Sequence, residues 1–343
     1  MEFKSKERLK EVLGGFAGKK VLVIGDLMLD HYVETAARRL SREAPIPVSD
    51  VVAENSFAGG TANLACNITS LGGKATVVGV VGNDYEGELL RDILDKRGVD
   101  TSGIITGSRP TSLKTRYFLD GRQYFRIDRE KRTDMDRNAT NEMLKNIESG
   151  IGNADCVSVS DYDKNTVNPK LINGTVKLAR QRKIKIVGQP KVNHYLDFIG
   201  FDCVKSNIRE ASKATGISLL NESSLRNMGI HLLGKLECGS LVLTRGGKGL
   251  TVFEGNNMIH LTALTPSKQF RRAIGIRDVM TAVLALSLTA GASILEASIL
   301  GNVAAAISNP GPETVILSMK NFKDYLYDGR ELEQPVTQVP LHR

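Results

Sequence analysis

The sequence predicts a three-layer α/β/α fold around a mostly parallel sheet, with a small β lid set into it. Two observations carry that expectation. Along most of the chain, short apolar runs of strand length alternate with longer segments of helical period, the pattern of a parallel sheet covered on both faces. Two early stretches, around 31–57 and 108–130, break the alternation and read as extra strands. The chain, 1–343, is expected to form one domain carrying this lid.

The elements follow in order. Lys20 to Ile24 is a short apolar run ending at Gly25-Asp26. A polar segment with Pro45 and Pro47 leads to apolar Val48 to Val52. Gly59-Gly60 opens a helical pattern over Ala62 to Leu71; Lys74 to Val81 reads as a buried strand and Tyr85 to Arg97 as an amphipathic helix. Thr111 to Leu119 and Gln123 to Asp128 alternate apolar and polar residues on either side of Gly121, which reads as a hairpin. Cys156 to Ser160 is strand, Pro169 to Gln181 helix, and Ile184 to Gly188, Asp202 to Lys205 and Ser240 to Thr244 strands. The last third reads as helical, from Asp278 to Ala290 and from Ile294 to Ser308.

Composition narrows the function class. With 41% hydrophobic and 24% charged residues, the chain is ordinary globular material. No apolar run reaches the roughly 20 residues that span a bilayer: the longest, Val279 to Ala292, is interrupted by Thr281, Ser287 and Thr289. Residues Met1 to Lys10 are charged and hold no signal-peptide core, so a cytoplasmic protein is expected. Cys66, Cys156, Cys203 and Cys238 form no CxxC pair and read as reduced, buried thiols. The net charge of +8 suits an anionic ligand such as a sugar phosphate or a nucleotide. Nucleic acid is the lesser expectation, because the chain has no Trp and no basic segment interleaved with aromatics.

Several motifs occur in order over nearly the whole chain. They are Gly25-Asp26-Leu27-Met28-Leu29-Asp30; Arg39 to Val48 (RLSREAPIPV); Gly59-Gly60-Thr61-Ala62-Asn63; Pro110-Thr111 with Lys114, Arg116, Gln123, Arg126 and Asp128; Ser160-Asp161-Tyr162; and Asn207-Ile208-Arg209-Glu210. Together they resemble the ribokinase-like (PfkB) carbohydrate kinases, and most of all the bacterial heptose 7-phosphate kinases. That resemblance implies a ribokinase-like fold, transfer of the ATP γ-phosphoryl group to the anomeric hydroxyl of a heptose 7-phosphate, and ATP with Mg²⁺ as cofactors. The product would lie on the way to ADP-heptose. The sequence has no HxGH motif, so the nucleotidyltransferase activity sometimes fused to such kinases is expected to be absent. The expected partners are the sugar phosphate, ATP and, as an open question, a second copy of the chain in a homodimer.

Each residue has a functional and a plain reading. Asp26 and Asp30 follow the first strand, where carboxylates can accept hydrogen bonds from sugar hydroxyls; Asp30 could instead cap a helix or turn. Gly59, Gly60 and Asn63 allow close approach to the sugar, or form a tight turn before a helix. Lys114, Arg116 and Arg126 either hold a distal phosphate or decorate a solvated strand face. Asn207 and Glu210 are a common helix start, and the resemblance adds a role in placing Mg²⁺ through water, with no direct protein ligand to the metal. Thr244, Gly246 and Gly249 lie in a segment that resembles a nucleotide-side turn and reads equally as a hairpin, and the resemblance puts Asn302 near the adenine.

The segment from Arg271 to Asp278 stands in the place of the family's DTxGAGD. By resemblance Asp278 is the base, and Gly275, Ile276 and Arg277 open a helix whose N–H groups form an anion hole. Three departures surround the phosphates: Arg277 replaces a glycine, Arg272 an aspartate and Gln189 an aspartate. A fourth, Asp163, replaces a glycine. Arg277 could pair with Asp278 and lower its pKa, could fill the anion hole, or could act as a catalytic arginine. The alternative function is a catalytically impaired kinase fold that binds a sugar phosphate or a protein partner.

Overall fold

The computed structural model describes residues 6–131, 133–264, 274–308, 314–328 and 335–341. In chain order the elements are α1 (Lys6–Gly14), β1 (Lys20–Gly25), β2 (Leu27–Leu40), β3 (Pro47–Gly60), α2 (Thr61–Ser70), β4 (Lys74–Gly82), α3 (Tyr85–Lys96), β5 (Asp100–Gly107), β6 (Ser112–Leu119) and β7 (Arg122–Arg129). Then come α4 (Arg137–Ile151), β8 (Cys156–Ser160), α5 (Pro169–Gln181), β9 (Lys185–Gln189), β10 (Cys203–Asn207), α6 (Ile208–Thr215), α7 (Glu222–Leu236), β11 (Ser240–Thr244), β12 (Leu250–Glu254) and β13 (Asn257–Leu261). The chain continues with α8 (Ile276–Thr289), α9 (Ile294–Ile307), α10 (Met319–Tyr327) and β14 (Val336–Pro340).

Among the described residues the strands form two sheets. The large one runs β14-β13-β12-β11-β10-β9-β8-β1-β4-β5. From β5 to β11 neighbouring strands are parallel, and β12, β13 and β14 add an antiparallel margin. Its apolar strands are buried on both faces because side chains alternate along a strand. In β1, Val21 and Val23 enter one core with α2, α8 and α9, while Leu22 and Ile24 enter the other with α4, α5 and α7. This is the ribokinase-like three-layer arrangement that the alternation of strands and helices predicts.

The segments around 31–57 and 108–130 lie in the second sheet, ordered β3-β2-β6-β7. β2 leaves β1 after a single intervening residue, Asp26, and pairs antiparallel with β3 from Leu27 opposite Gly60 to Leu40 opposite Pro47. β6 and β7 form the expected hairpin. This sheet springs from the carboxyl ends of the parallel strands, the edge at which open α/β sheets bind ligands.

The hairpin reading of the segment from Thr244 to Gly249 holds, and strands not expected from the sequence stand beside the two helices of the last third. The turn at Gly246–Lys248 is a hairpin between β11 and β12, and β13 and β14 extend it. The cysteines are free, with Cys66, Cys156 and Cys203 buried and Cys238 half-buried. Burial pushes the Cys66 thiol up to about 12, which keeps it protonated and unreactive.

Candidate active site

A cavity of about 460 Å³ opens between the two sheets and the start of α8. Met28, Asp30 and Gly60 line it from β2 and β3, and Lys114, Arg116 and Arg126 from β6 and β7. The opposite wall carries Thr244, Gly246, Gly249 and Asn302, and the floor carries Gly275, Ile276, Arg277 and Asp278. A second cavity adjoins it at Tyr162, Thr244 and Gly246, and holds Lys191, Asn207, Arg209, Glu210 and Lys213. The fold therefore gathers residues far apart in sequence along one continuous trough. Asp26, Gly59 and Asn63 are not on its lining; they stand behind it.

The start of α8 fixes the floor. Gly275 precedes the helix at φ 94°, a left-handed conformation that favours glycine. A Cβ there would lie 2.6 Å from Nδ2 of Asn63, so the site needs glycine for space as well. The carbonyl of Gly275 accepts from the N–H of Asp278 at 2.9 Å, while the earliest N–H groups of a helix have no intrahelical acceptor. Gly275, Ile276, Arg277 and Asp278 all line the trough.

Asp278 is buried, at 5% exposure. Its Oδ2 accepts from Asn63 Nδ2 at 2.9 Å, and its Oδ1 accepts from the Tyr162 hydroxyl. Burial raises its pKa above the ordinary carboxylate value; the bonds from Tyr162 and Asn63 and the charges of Arg277 and Lys205 oppose that rise without cancelling it. Of the three roles that the sequence left open for Arg277, pairing with Asp278 is not the one seen: its charge does lower the Asp278 pKa, but burial outweighs it. The Arg277 guanidinium turns the other way and donates to Glu210 Oε1 at 2.7 Å.

Glu210 is taken up on every side. Lys191 donates to the same Oε1, and the N–H of Asn207 meets Oε2 at 3.4 Å within a capping box in which Asn207 Oδ1 receives the Glu210 N–H at 2.8 Å. Burial alone would raise the Glu210 carboxyl, but Arg277 and Lys191 outweigh it and hold it below the ordinary range. Behind this cluster Lys205 is fully buried, and its ammonium donates to Gln189 Oε1 at 2.9 Å, to the carbonyl of Arg277 at 2.8 Å and to Thr281 Oγ1 at 3.3 Å. Burial, aided by the charge of Arg277, brings the Lys205 pKa down to about 7.

On the other side of the cavity each cation meets a carboxylate. Arg116 donates to Asp30 Oδ1 at 2.8 Å, and Thr314 donates to Asp30 Oδ2 at 3.1 Å. Lys114 lies 2.9 Å from Asp128 and 3.5 Å from Glu130, and Arg126 lies 2.7 Å from Asp128. Gly59 makes room for the Asp30 carboxylate, because a Cβ at 59 would come within 2.8 Å of its Oδ2. Asp26 does something else. It is fully buried and accepts backbone N–H bonds from Tyr162 at 2.7 Å, Lys164 at 3.2 Å and Thr166 at 3.0 Å. Its carboxylate shapes the loop that presents Tyr162.

Sequence reasoning singled out Asp278, Asn63 and Glu210 but gave no role to Tyr162, Lys191, Lys205, Gln189 or Thr314. The only signal for Gln189 was its departure from an expected aspartate. Asp163, another departure, adopts φ 63°, a backbone state in which glycine is the easier occupant. Arg271 and Arg272 lie outside the described residues, and with them the departure from an aspartate at 272.

Residues 18–315 match the family described as pfkB family carbohydrate kinase. The chain is 35% identical over 289 residues to the bifunctional protein HldE of Helicobacter hepaticus, covering 84% of this chain and 60% of that protein. It is 36% identical over 295 residues to the HldE of Caulobacter vibrioides, covering 85% and 60%. The chain therefore spans about 60% of the length of these curated relatives. Among solved structures, phosphofructokinase-2 from Escherichia coli, in complex with potassium, superimposes with a TM-score of 0.74 at 17% identity, over 91% of this chain and 99% of that one. Arabidopsis thaliana ribokinase, complexed with ribose and ATP, gives 0.69 at 19% identity over 90% and 99%. These structural likenesses establish the fold.

Proposed function

The chain belongs to the pfkB family of carbohydrate kinases, and from that premise we propose that it transfers the γ-phosphoryl group of ATP to the anomeric hydroxyl of a phosphorylated sugar, with heptose 7-phosphate as the first candidate. Asp278 takes the proton of the acceptor hydroxyl. The acceptor oxygen bonds to the γ-phosphorus as the bridging P–O bond breaks, and ADP leaves with that electron pair. The N–H groups at the start of α8 receive the charge that develops on the phosphoryl oxygens. The cavity under the four-stranded sheet takes the sugar, with Lys114, Arg116 and Arg126 toward its phosphate. The side of the trough with Asn207, Thr244, Gly246, Gly249 and Asn302 takes the nucleotide. We place the protein in the cytoplasm, in keeping with the absence, among the described residues, of a helix long and apolar enough to cross a membrane.

One observation carries this reading: Asp278 is buried at the first turn of α8, at the meeting point of the sugar-side and nucleotide-side walls. The heptose is the first candidate because the motifs in the sequence resemble those of heptose 7-phosphate kinases, and the chain matches the HldE relatives across 84–85% of its own length.

Mg²⁺ is a different matter. The resemblance assigns it to Glu210 through water, yet Lys191 and Arg277 both donate to Oε1, which leaves only Oε2, with a 3.4 Å contact from the Asn207 N–H. Among the described residues no cluster of three or more acidic, histidine or cysteine side chains stands ready for a metal. The residues as they stand do not fit a protein-held divalent ion. We assign the charge that offsets the triphosphate to Arg277 and Lys191.

The same cluster favours a second reading, in which Arg277 stays bound to Glu210 and the protein binds its sugar phosphate without turnover. Incubation of the pure protein with ATP, Mg²⁺ and heptose 7-phosphate, followed by measurement of ADP, decides between them. ADP formed in step with the sugar bisphosphate supports the kinase. Sugar binding by calorimetry with no ADP supports the second reading.

A further inference from the structure

We propose that Lys205, acting through Gln189 and Tyr162, is a positioning residue that fixes the direction of the hydrogen bonds reaching Asp278. The inference rests on the reading of Asp278 as the base. It follows from counting donors and acceptors along one buried chain of side chains.

An ammonium has three donors and no acceptor. Lys205 sits beneath α8 with no exposure, and its three donors meet Gln189 Oε1, the Arg277 carbonyl and Thr281 Oγ1. The single Thr281 hydroxyl proton has both Gln189 Oε1, at 2.6 Å, and the Arg277 carbonyl, at 2.9 Å, within reach. The Lys205 ammonium, which can only donate, leaves the Gln189 amide one orientation, with its NH₂ group pointing away from Lys205. There Nε2 donates to the Tyr162 hydroxyl at 3.0 Å. The Tyr162 oxygen, filled as an acceptor, turns its own proton to Asp278 Oδ1. Burial and the neighbouring Asp278 charge push the Tyr162 pKa well above its ordinary value, so the phenol keeps that proton.

The result is a one-way series: Lys205 to Gln189, Gln189 to Tyr162, Tyr162 to Asp278. Each link is set by the one before it, and the charge at its origin prevents reversal while Lys205 is an ammonium, below its pKa of about 7. With Asn63 holding Oδ2, the carboxylate is kept as an acceptor aimed into the cavity. A carboxylate at position 189 could not donate to Tyr162, so the direction of the series depends on the amide. The charged groups around Lys205 are Arg277 and Asp278 from α8, Glu210 from α6 and Lys191 beyond β9. A simple field effect of Lys205 on Asp278 is therefore the rival explanation.

Two variants separate the explanations. Lys205→Met removes the charge and the donors, whereas Gln189→Met breaks the series without changing any charge. The Asp278 carboxyl is titrated by ¹³C NMR in protein labelled at aspartate and assigned with Asp278→Asn, a readout that needs no turnover. The expected result is an upward shift of the Asp278 midpoint in both variants. A midpoint that moves in Lys205→Met but not in Gln189→Met leaves only the field effect and overturns the proposal, as does a midpoint unmoved in Lys205→Met. In the kinase assay with ATP and heptose 7-phosphate, both variants are expected to lower kcat about 10-fold, move the acid limb of its pH profile upward, and change the sugar KM little. Absence of ADP in the wild type would count against the proposed function, while the titration would still decide this one.

Discussion

At the scale of single residues, the site is a set of buried charges whose partners decide what each can do. Asp278 is held by two donors and has a raised pKa, so it is a stronger base than an exposed carboxylate. Asp278→Asn is expected to lower kcat by about 10²–10⁴-fold while sugar affinity stays near the wild-type value; ADP release and calorimetry check both halves. Arg277 is tied to Glu210 and faces the trough. Arg277→Ala is expected to raise the KM for ATP about 10-fold, the order of one charge-assisted hydrogen bond. An unchanged or lower KM would mean that the side chain obstructs the nucleotide. Asp26 gives a pH signature. Burial, with Asp161 nearby, pushes it up to about 6. Its folded pKa lies above the ordinary one, so its contribution to stability is complete below about pH 4 and is lost as pH rises through about 6. Asp26→Asn is expected to lower Tm, because three N–H groups face a side chain with half its acceptors gone. The gap between wild type and variant should narrow as the pH climbs across that window, and thermal unfolding at several pH values measures it.

At the scale of elements, the start of α8 is the place where backbone and chemistry are least separable. Gly275→Ala forces a Cβ into both a left-handed backbone and the Asn63 amide. A strain of about 1–3 kcal/mol is expected, seen as a lower Tm, together with a loss of kcat larger than the loss of sugar affinity, since Asn63 orients Asp278. Elements with strong patterns were legible in the sequence: Pro169–Gln181 and Ser240–Thr244 have the expected bounds, and Asn168 caps the former through the Leu171 N–H. Elements held by their surroundings were not. β5 is a half-exposed edge strand, and β14 is mostly exposed and recognisable only by its pairing with β13. The site divides in the same way. Asp278, Asn63 and Glu210 sit in recognisable motifs. Tyr162, Gln189 and Lys205 acquire meaning only when β9, β10 and α8 bring them together, and no local pattern announces a lysine buried in a strand.

At the scale of the whole molecule, a positive balance of +8 meets two adjoining cavities with several cations on their walls. Lys114, Arg116 and Arg126 on the sugar side are each paired with a carboxylate, so attraction of an anionic substrate depends on the summed field more than on a single free cation. Raising ionic strength from about 0.05 to about 0.5 M is expected to raise both KM values several-fold, with kcat less affected. Steady-state kinetics in a non-binding salt test this, and salt-independent KM values would show that local pairing outweighs the overall field.

The long strand β2 has a mechanical consequence. It begins one residue after β1 ends, at Asp26, and its 14 residues pass from the mostly buried stretch Leu27–Val33 to exposed Ala37–Leu40. At about 3.3 Å per residue it is a lever about 45 Å long, with β3 lashed along its side from Gly60 to Pro47. A tilt of only about 5° at the root sweeps the far end through about 4 Å. The fulcrum is also where Asp26 grips the loop that carries Tyr162. The strand is bulged between Glu34 and Thr35 and between Ala37 and Arg39, so a push on the distal end would reach the loop that carries Tyr162 reduced both by its distance from the root and by these two bends.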